Sequence, residues 1–122
     1  MRRLALALAA AAVLTAAPAA ADMFTPAFIA NSGERVACSL LNVGKKDLEV
    51  SIQIRLDDGQ QTGGSTGFTI PPGEVRTASY DGTDGSRYHC AFVGRVTAKK
   101  VRAGGALVDI VTTQTKFVVP AQ

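Results

Sequence analysis

The sequence predicts an all-β protein, a single β-sandwich of about seven or eight short antiparallel strands. Apolar and polar residues alternate at period two in several stretches, and turn residues recur roughly every 8–12 residues. After residue 21 no stretch of useful length shows a helical period. A small barrel is the alternative architecture for such a pattern.

The clearest strand is Leu48–Leu56, in which five apolar residues alternate with polar ones. This pattern predicts that Ile52 and Ile54 are buried and that Arg55 faces solvent. The stretch Glu34–Asn42 also places alternate apolar residues on one face. Because only residues 43–47 separate the two stretches, we expect them to form a hairpin.

The other strands are shorter and follow turns rich in Gly, Pro and Asp. Residues 60–67 are glycine-rich and predict a flexible loop or an irregular edge strand. Between residues 96 and 113 two interpretations stand: a hairpin of Val96–Val101 with Ala106–Thr113, or one strand at Val101–Ile110 with an internal glycine pair. The remaining strands are expected at residues 68–70, 75–80, 86–93 and 116–119.

The first 21 residues have the pattern of a cleaved secretory signal peptide. Arg2 and Arg3 precede an apolar run at residues 4–17, and small residues lead to Ala21. The run of about 14 residues is shorter than the about 20 that a membrane-spanning helix needs. We therefore expect cleavage between Ala21 and Asp22, a mature domain at 22–122 in the periplasm or the medium, and no stable membrane insertion.

The basic charge of the chain comes largely from the predicted signal peptide. The full chain has 13 Lys and Arg against 10 Asp and Glu, and Arg2 and Arg3 belong to the first 21 residues. The mature domain therefore carries a net charge of +1, which gives no reason to expect nucleic acid as a partner. Lys99, Lys100 and Arg102, with Arg95 nearby, are interpreted as edge-strand charge that discourages aggregation.

Cys38 and Cys90 are the two cysteines of the chain. An even number in an exported protein favours a disulfide, and both residues lie on inward-facing strand positions. Such a bridge contributes about 4 kcal/mol in the chain-entropy model. Reduced or metal-binding thiols are the alternative, but the chain lacks a CxxC pair and has one His.

Residues 84–90, DGSRYHC, resemble the immunoglobulin segment that leads to the second cysteine of the fold. The stretches CSLLNVG at 38–44 and PPGE at 71–74 resemble small bacterial secreted or periplasmic immunoglobulin-like proteins of unassigned function. The resemblance implies an immunoglobulin-like sandwich with an inter-sheet Cys38–Cys90 disulfide and Tyr88 in a tyrosine corner. Since the chain has no Trp, Ile52 or Ile54 would fill the space beside the bridge.

The sequence predicts no catalytic residue, cofactor or metal site. Its one His, His89, lies between two inward positions, so alternation directs it away from the core. The acidic pairs Asp57 with Asp58 and Asp81 with Asp84 lie in turns, where Asp is favoured for its local hydrogen bonds. Their spacing is not that of a calcium loop.

These observations lead to one main hypothesis and two alternatives. The main one is an exported, non-catalytic binding or structural module that contacts another envelope or extracellular protein through a sheet edge or its end loops. The first alternative is a β-augmentation partner, in which residues 22–30 or 116–122 pair with another protein's strand. The second is a hydrolase or metal-dependent enzyme whose site consists of acids alone, namely Asp57, Asp58, Asp81 and Asp84.

Overall fold

The structure of the chain is a computed structural model. It describes residues 21–83, 85–97 and 99–122, and at residues 21, 65, 66 and 95 it describes the backbone alone. The predicted signal peptide lies outside the described residues, apart from the backbone of Ala21, and so does Asp84.

The described residues form nine β-strands. They are β1 (Ala21–Phe24), β2 (Phe28–Ala30), β3 (Glu34–Asn42), β4 (Leu48–Leu56), β5 (Gln61–Ile70), β6 (Val75–Asp81), β7 (Ser86–Val96), β8 (Val101–Asp109) and β9 (Thr115–Pro120). Within this part of the chain, no helix is long and apolar enough to span a membrane.

Two antiparallel sheets share these strands. Sheet A has the order β1-β7-β4-β5, with β2 also pairing with β7, and sheet B has the order β6-β3-β8-β9. The inward-facing apolar residues of both sheets form one buried cluster, because alternate side chains of a strand point to the same face. The all-β prediction with two packed sheets is thus confirmed.

A disulfide joins the two sheets through this core. Cys38 on β3 and Cys90 on β7 are bonded, with their Cα atoms 5.7 Å apart. Ile54 lies next to Cys90 in register, and both Ile52 and Ile54 are fully buried. The predicted bridge and the predicted inner face of β4 are therefore confirmed.

The expected hairpin between Glu34–Asn42 and Leu48–Leu56 is wrong, although both strands have the predicted bounds. β3 belongs to sheet B and β4 to sheet A, so the connection at residues 43–47 crosses from one sheet to the other. Each strand turns its apolar face toward the same core from opposite sides. Alternation identifies the buried face of a strand but not the neighbour to which it is hydrogen-bonded.

The two glycine-rich stretches both belong to strands. Residues 61–70 form the edge strand β5, where Gly64 has a φ of 110° and a side chain would collide with the Ile52 carbonyl oxygen. The pairing of β4 with β5 is irregular on both sides of this region. β8 is one strand that contains the glycine pair, so the hairpin alternative for residues 96–113 is wrong. A side chain at Gly105 would contact the sulfur of Cys90.

The strand order matches an immunoglobulin sandwich in two central pairs and departs from it at both ends of the chain. β1 and β2 pair with β7, whereas the immunoglobulin A strand lies beside B. β3 pairs with β6 and β4 pairs with β7, as the B and E and the C and F strands do. However, β8 pairs with β3 in the opposite sheet from β7, whereas the immunoglobulin G strand lies beside F.

Candidate functional site at the lysine end

Two connections meet at one end of the sandwich, which we call the lysine end. Residues 43–47 link β3 to β4 and carry Lys45 and Lys46, and the connection from β7 to β8 carries Lys99 and Lys100. The Val43 N–H donates a hydrogen bond to the Lys100 carbonyl oxygen at 2.8 Å. This contact brings two Lys-Lys pairs together that are far apart in the sequence.

Asn42 fixes the shape of this end. Its side chain is buried, with 1% exposed, and its Nδ2 donates to the carbonyl oxygens of Lys46 at 2.9 Å and Ile70 at 2.7 Å. Its Oδ1 accepts from the Gly44 N–H at 2.9 Å. The sequence marked Asn42 only as the end of a strand, because nothing in the local pattern shows three backbone partners.

The four lysines of this end have no partner within the described residues. No carboxylate oxygen in the described part of the chain lies within 4.0 Å of their ammonium groups, and none of the four donates a side-chain hydrogen bond there. All four are exposed. Like charges that are held close together repel one another, so this arrangement favours an anion from outside.

The interpretation of Lys99, Lys100 and Arg102 as edge-strand charge is wrong. Lys99 and Lys100 lie on a connection, and Arg102 lies on β8, between β3 and β9 in sheet B. Charge at these positions cannot protect a sheet edge. The signal that sequence reasoning missed is the second Lys-Lys pair at residues 45 and 46, also in a predicted turn.

The lysine end contains an open cleft of about 730 Å³. Its lining includes Lys45, Lys46 and Lys100 together with the polar groups Asp47, Glu49 and Thr69. Leu48 and Gly94 also line it, and a side chain at Gly94 would come within 2.9 Å of the Glu49 carbonyl oxygen. The residues that line the cleft thus include three lysines, two acids and a threonine.

The opposite end of the sandwich, which we call the aspartate end, holds the acidic turns. Asp57 pairs with Arg87 at 3.2 Å, and Asp81 pairs with Arg35 at 2.7 Å. Asp58 Oδ1 accepts from the Gln60 N–H at 2.8 Å. The structure therefore does not gather these acids into one site.

Two further acids of the aspartate end are also engaged. Glu34 accepts hydrogen bonds from the Lys116 ammonium group and the Asn31 N–H, and together these contacts lower the pKa of Glu34. The same ion pair raises the pKa of Lys116. The backbone N–H groups of Thr112 and Val111 lower the pKa of the Asp109 carboxyl.

His89 lies on the outer face of sheet A, as predicted, and is half-buried there. Its ring centroid is 6.2 Å from that of Phe24. Burial lowers the pKa of His89, nearby Arg55 lowers it further, and Asp57 opposes both effects. Among the described residues, no three His, Cys, Asp or Glu side chains are grouped so that they could hold a metal ion.

Tyr88 is buried on β7, and its ring centroid is 5.9 Å from that of Tyr80. Its hydroxyl lies 3.4 Å from Thr83 Oγ1, five residues upstream. The immunoglobulin tyrosine corner uses a backbone partner a few residues upstream, whereas the partner here is a side chain.

Comparison with known proteins gives a likeness of fold. The crystal structure of Thermotoga maritima 1070 is similar, with a TM-score of 0.54 at 13% identity, over 87% of this chain and 96% of that one. No family model matches the chain, and no curated protein matches it. The likeness supports the arrangement of strands and leaves function to be argued from the site.

Proposed function

We propose that the protein is an exported, non-catalytic binding module that takes an anionic ligand at its lysine end. The observation that carries this proposal is the set of four lysines, unpartnered in the described structure, on two connections that a backbone hydrogen bond and Asn42 hold together. Because the backbone of both connections is held in place before binding, a ligand has only the lysine side chains to order.

Export is supported by the N-terminal sequence and by the disulfide, which is consistent with an oxidising compartment outside the cytoplasm. We expect the exported protein to begin at Asp22 and to have no free thiol. Intact mass before and after thiol labelling of the denatured, unreduced protein tests both. A mass that retains residues 1–21, or two labelled thiols, would contradict this part of the proposal.

The non-catalytic part is supported by the partners of the candidate acids. Asp57 and Asp81 are held in ion pairs, and Asp58 caps its own turn. A general acid or base needs a carboxyl group that is placed to exchange a proton with a substrate, whereas these three carboxylates are already engaged with groups of the protein itself.

An immunoglobulin-like origin is part of the same proposal. Its support is the inter-sheet bridge, Tyr88 two residues before the second cysteine, and the central pairs β3 with β6 and β4 with β7. The placement of β1 and β2 beside β7, and of β8 beside β3, would then be a rearrangement of the first and last strands around that centre.

The anion binding can be tested with two variants that remove the same charge from opposite ends. Lys45→Gln/Lys46→Gln acts at the lysine end, and Arg35→Gln/Arg87→Gln acts at the aspartate end. Each variant is prepared as the processed protein, which begins at Asp22, and is eluted from phosphocellulose with a salt gradient. Its fold is checked by urea unfolding. We expect the lysine variant to elute at lower salt and the arginine variant to elute close to the parent protein. If both variants lost retention equally, net charge alone would explain the binding to phosphocellulose, and the proposed site would be refuted.

A second candidate function, β-augmentation, is favoured by β9. This edge strand is the most exposed strand of sheet B, with Val118 67% exposed beside an apolar trough over Ala37 and Ala106. The predicted exchange of terminal segments would first have to break existing pairs, since β1 and β2 pair with β7 and Gln122 pairs with Phe24. We therefore place the augmentation at the open edge of β9.

A photo-crosslinking amino acid at position 118 tests this second candidate in the exporting cell. The matched control is position 61 on β5, an exposed position on the edge strand of sheet A that lies outside the cleft. A cross-linked partner at position 118 that is absent at position 61 supports augmentation at β9. The same products at both positions, or none at either, would contradict it.

A further inference from the structure

We propose that the cleft at the lysine end binds a phosphorylated polyol, a ligand that joins a phosphate to several hydroxyl groups. This inference rests on the anion binding proposed above and adds the chemistry of the rest of the ligand. It follows from the mixed lining of the cleft, in which cations and hydrogen-bond acceptors lie side by side.

The cationic part of the lining suits a phosphate group. A phosphate monoester carries about −1.5 to −2 charges at neutral pH. Lys45, Lys46 and Lys100 supply compact point charges with three donors each, and no described carboxylate competes for them within 4.0 Å. These three lysines outnumber the two acids of the same lining, so the cleft keeps a net positive charge for a phosphate group.

The other part of the lining suits hydroxyl groups. Glu49 and Thr69 are register partners on β4 and β5, and Asp47 immediately precedes β4. Neither Asp47 nor Glu49 has an ion pair or side-chain hydrogen bond within the described residues. An ionised carboxylate is an acceptor only, so the groups that fit beside it are O–H or N–H donors.

The same carboxylates exclude other anions. A polymer with a charge on every unit, such as a nucleic acid, would bring further negative groups against Asp47 and Glu49. None of the described lining residues is aromatic, so the cleft has no surface on which a base could stack. A cleft of about 730 Å³ lies within the range of small-molecule sites.

The experiment compares glycerol 3-phosphate with propyl phosphate, which differ only in two hydroxyl groups. Binding of each, and of inorganic phosphate, is measured by NMR titration of the processed protein. We expect glycerol 3-phosphate to bind about tenfold more tightly than propyl phosphate, the effect of one or two net hydrogen bonds. Poly(glycerol phosphate), which carries a charge on every unit, is titrated in parallel. The repulsion by Asp47 and Glu49 should make it bind more weakly per phosphate than the monomer, which identifies a free metabolite as the source. Tighter binding would identify an envelope polymer and would contradict the exclusion of charged polymers.

Two variants show which groups recognise the hydroxyls. Asp47→Asn/Glu49→Gln should remove most of the preference for glycerol 3-phosphate, while the affinity for inorganic phosphate stays equal or rises because repulsion is removed. Asp57→Asn/Asp58→Asn, at the aspartate end, makes the same charge change and should leave the preference intact. The folding of both variants is checked by urea unfolding.

The outcomes separate this inference from the proposed function. Equal binding of the two organic phosphates, with loss of both in Lys45→Gln/Lys46→Gln, would overturn the polyol inference and leave anion binding in place. An equal rise of both affinities in the carboxylate variant would likewise overturn the polyol inference alone. Absence of binding by all phosphates would overturn the inference and the proposed function together.

Discussion

The two ends of the sandwich handle charge in opposite ways. At the aspartate end, Asp57, Asp58, Asp81, Asp109 and Glu34 each accept a hydrogen bond or ion pair from within the molecule. At the lysine end, four lysines have no such partner in the described structure. Charges that serve the fold are paired internally, whereas charges kept unpaired by a rigid scaffold are available to a ligand.

Lys116 and Lys100 show the same contrast at the level of one residue type. Lys116 lies on β9 and donates to Glu34, so β9 is tied to the start of β3. Lys100 uses its carbonyl oxygen to accept from Val43, and its ammonium group is left to solvent. The backbone of Lys100 holds the two connections together, and its side chain is left for binding.

The largest expected effect comes from the buried side chain that holds the lysine end. Asn42→Ala removes the side-chain partner of the Lys46 and Ile70 carbonyl oxygens and of the Gly44 N–H. We therefore expect a loss of about 2–4 kcal/mol in the free energy of unfolding. Urea unfolding measures it. Gln60→Ala is the control, because this exposed amide at the aspartate end makes no side-chain hydrogen bond in the described structure, and it should cost less than about 0.5 kcal/mol. Equal costs would mean that Asn42 does not organise the lysine end.

The next effect is the pH dependence of the aspartate end. The pKa of Glu34 is lowered in the folded state, so its contribution is complete above its ordinary value of 4.5 and is lost as pH falls through the folded pKa. Glu34→Gln should therefore be less stable than the parent protein at pH 7, and this difference should shrink toward pH 3. Urea unfolding measures the free energy of both proteins at each pH. A difference that stays constant from pH 7 to pH 3 would show that the ion pair of Glu34 with Lys116 does not stabilise the fold.

His89 should give a smaller pH effect, in which protonation creates a charge rather than removing one. Its pKa is lowered by burial and by Arg55, so the folded state disfavours the protonated ring. The parent protein should lose stability as pH falls below about 6.5, the unfolded value, and this loss should be absent in His89→Gln. NMR titration of the His89 ring gives the folded pKa directly, and a value above the unfolded one would contradict the structure.

The smallest effect on stability is expected at the lysines themselves. Lys45→Gln/Lys46→Gln removes no ion pair and no side-chain hydrogen bond of the described structure and relieves repulsion between the lysines, so the free energy of unfolding should change by less than about 0.5 kcal/mol. Any gain at low salt should disappear at high salt, where charges are screened. A clear loss of stability would show that these lysines serve the fold rather than a ligand.

Much of the fold could be predicted, because period-two alternation reports directly on burial. The bounds of β3 and β4 and the inward position of Ile54 follow from it. Strand partners did not follow, since residues 43–47 can turn within a sheet or cross between sheets with the same composition. β5 was open to two interpretations because its glycines supply no alternation, and its place is set by close contact with Ile52.

The candidate site could be predicted only in fragments. Lys99 and Lys100 stood out as charge, but Lys45 and Lys46 have the composition of an ordinary turn. Their proximity depends on the crossing of β3 to β4 and on the hydrogen bond from Val43 to Lys100. Both are long-range features of the sandwich, and local sequence carries no record of them.

The most direct test of the account is an NMR titration of the isotope-labelled, processed protein with inorganic phosphate, read residue by residue. We expect changes in chemical shift that are confined to residues 43–47, 69 and 99–100, with none at residues 57–60 or 109–114. These changes should be lost in Lys45→Gln/Lys46→Gln and kept in Arg35→Gln/Arg87→Gln. Changes centred on the aspartate end, or spread evenly over both ends, would contradict the assignment of the lysine end as the binding site.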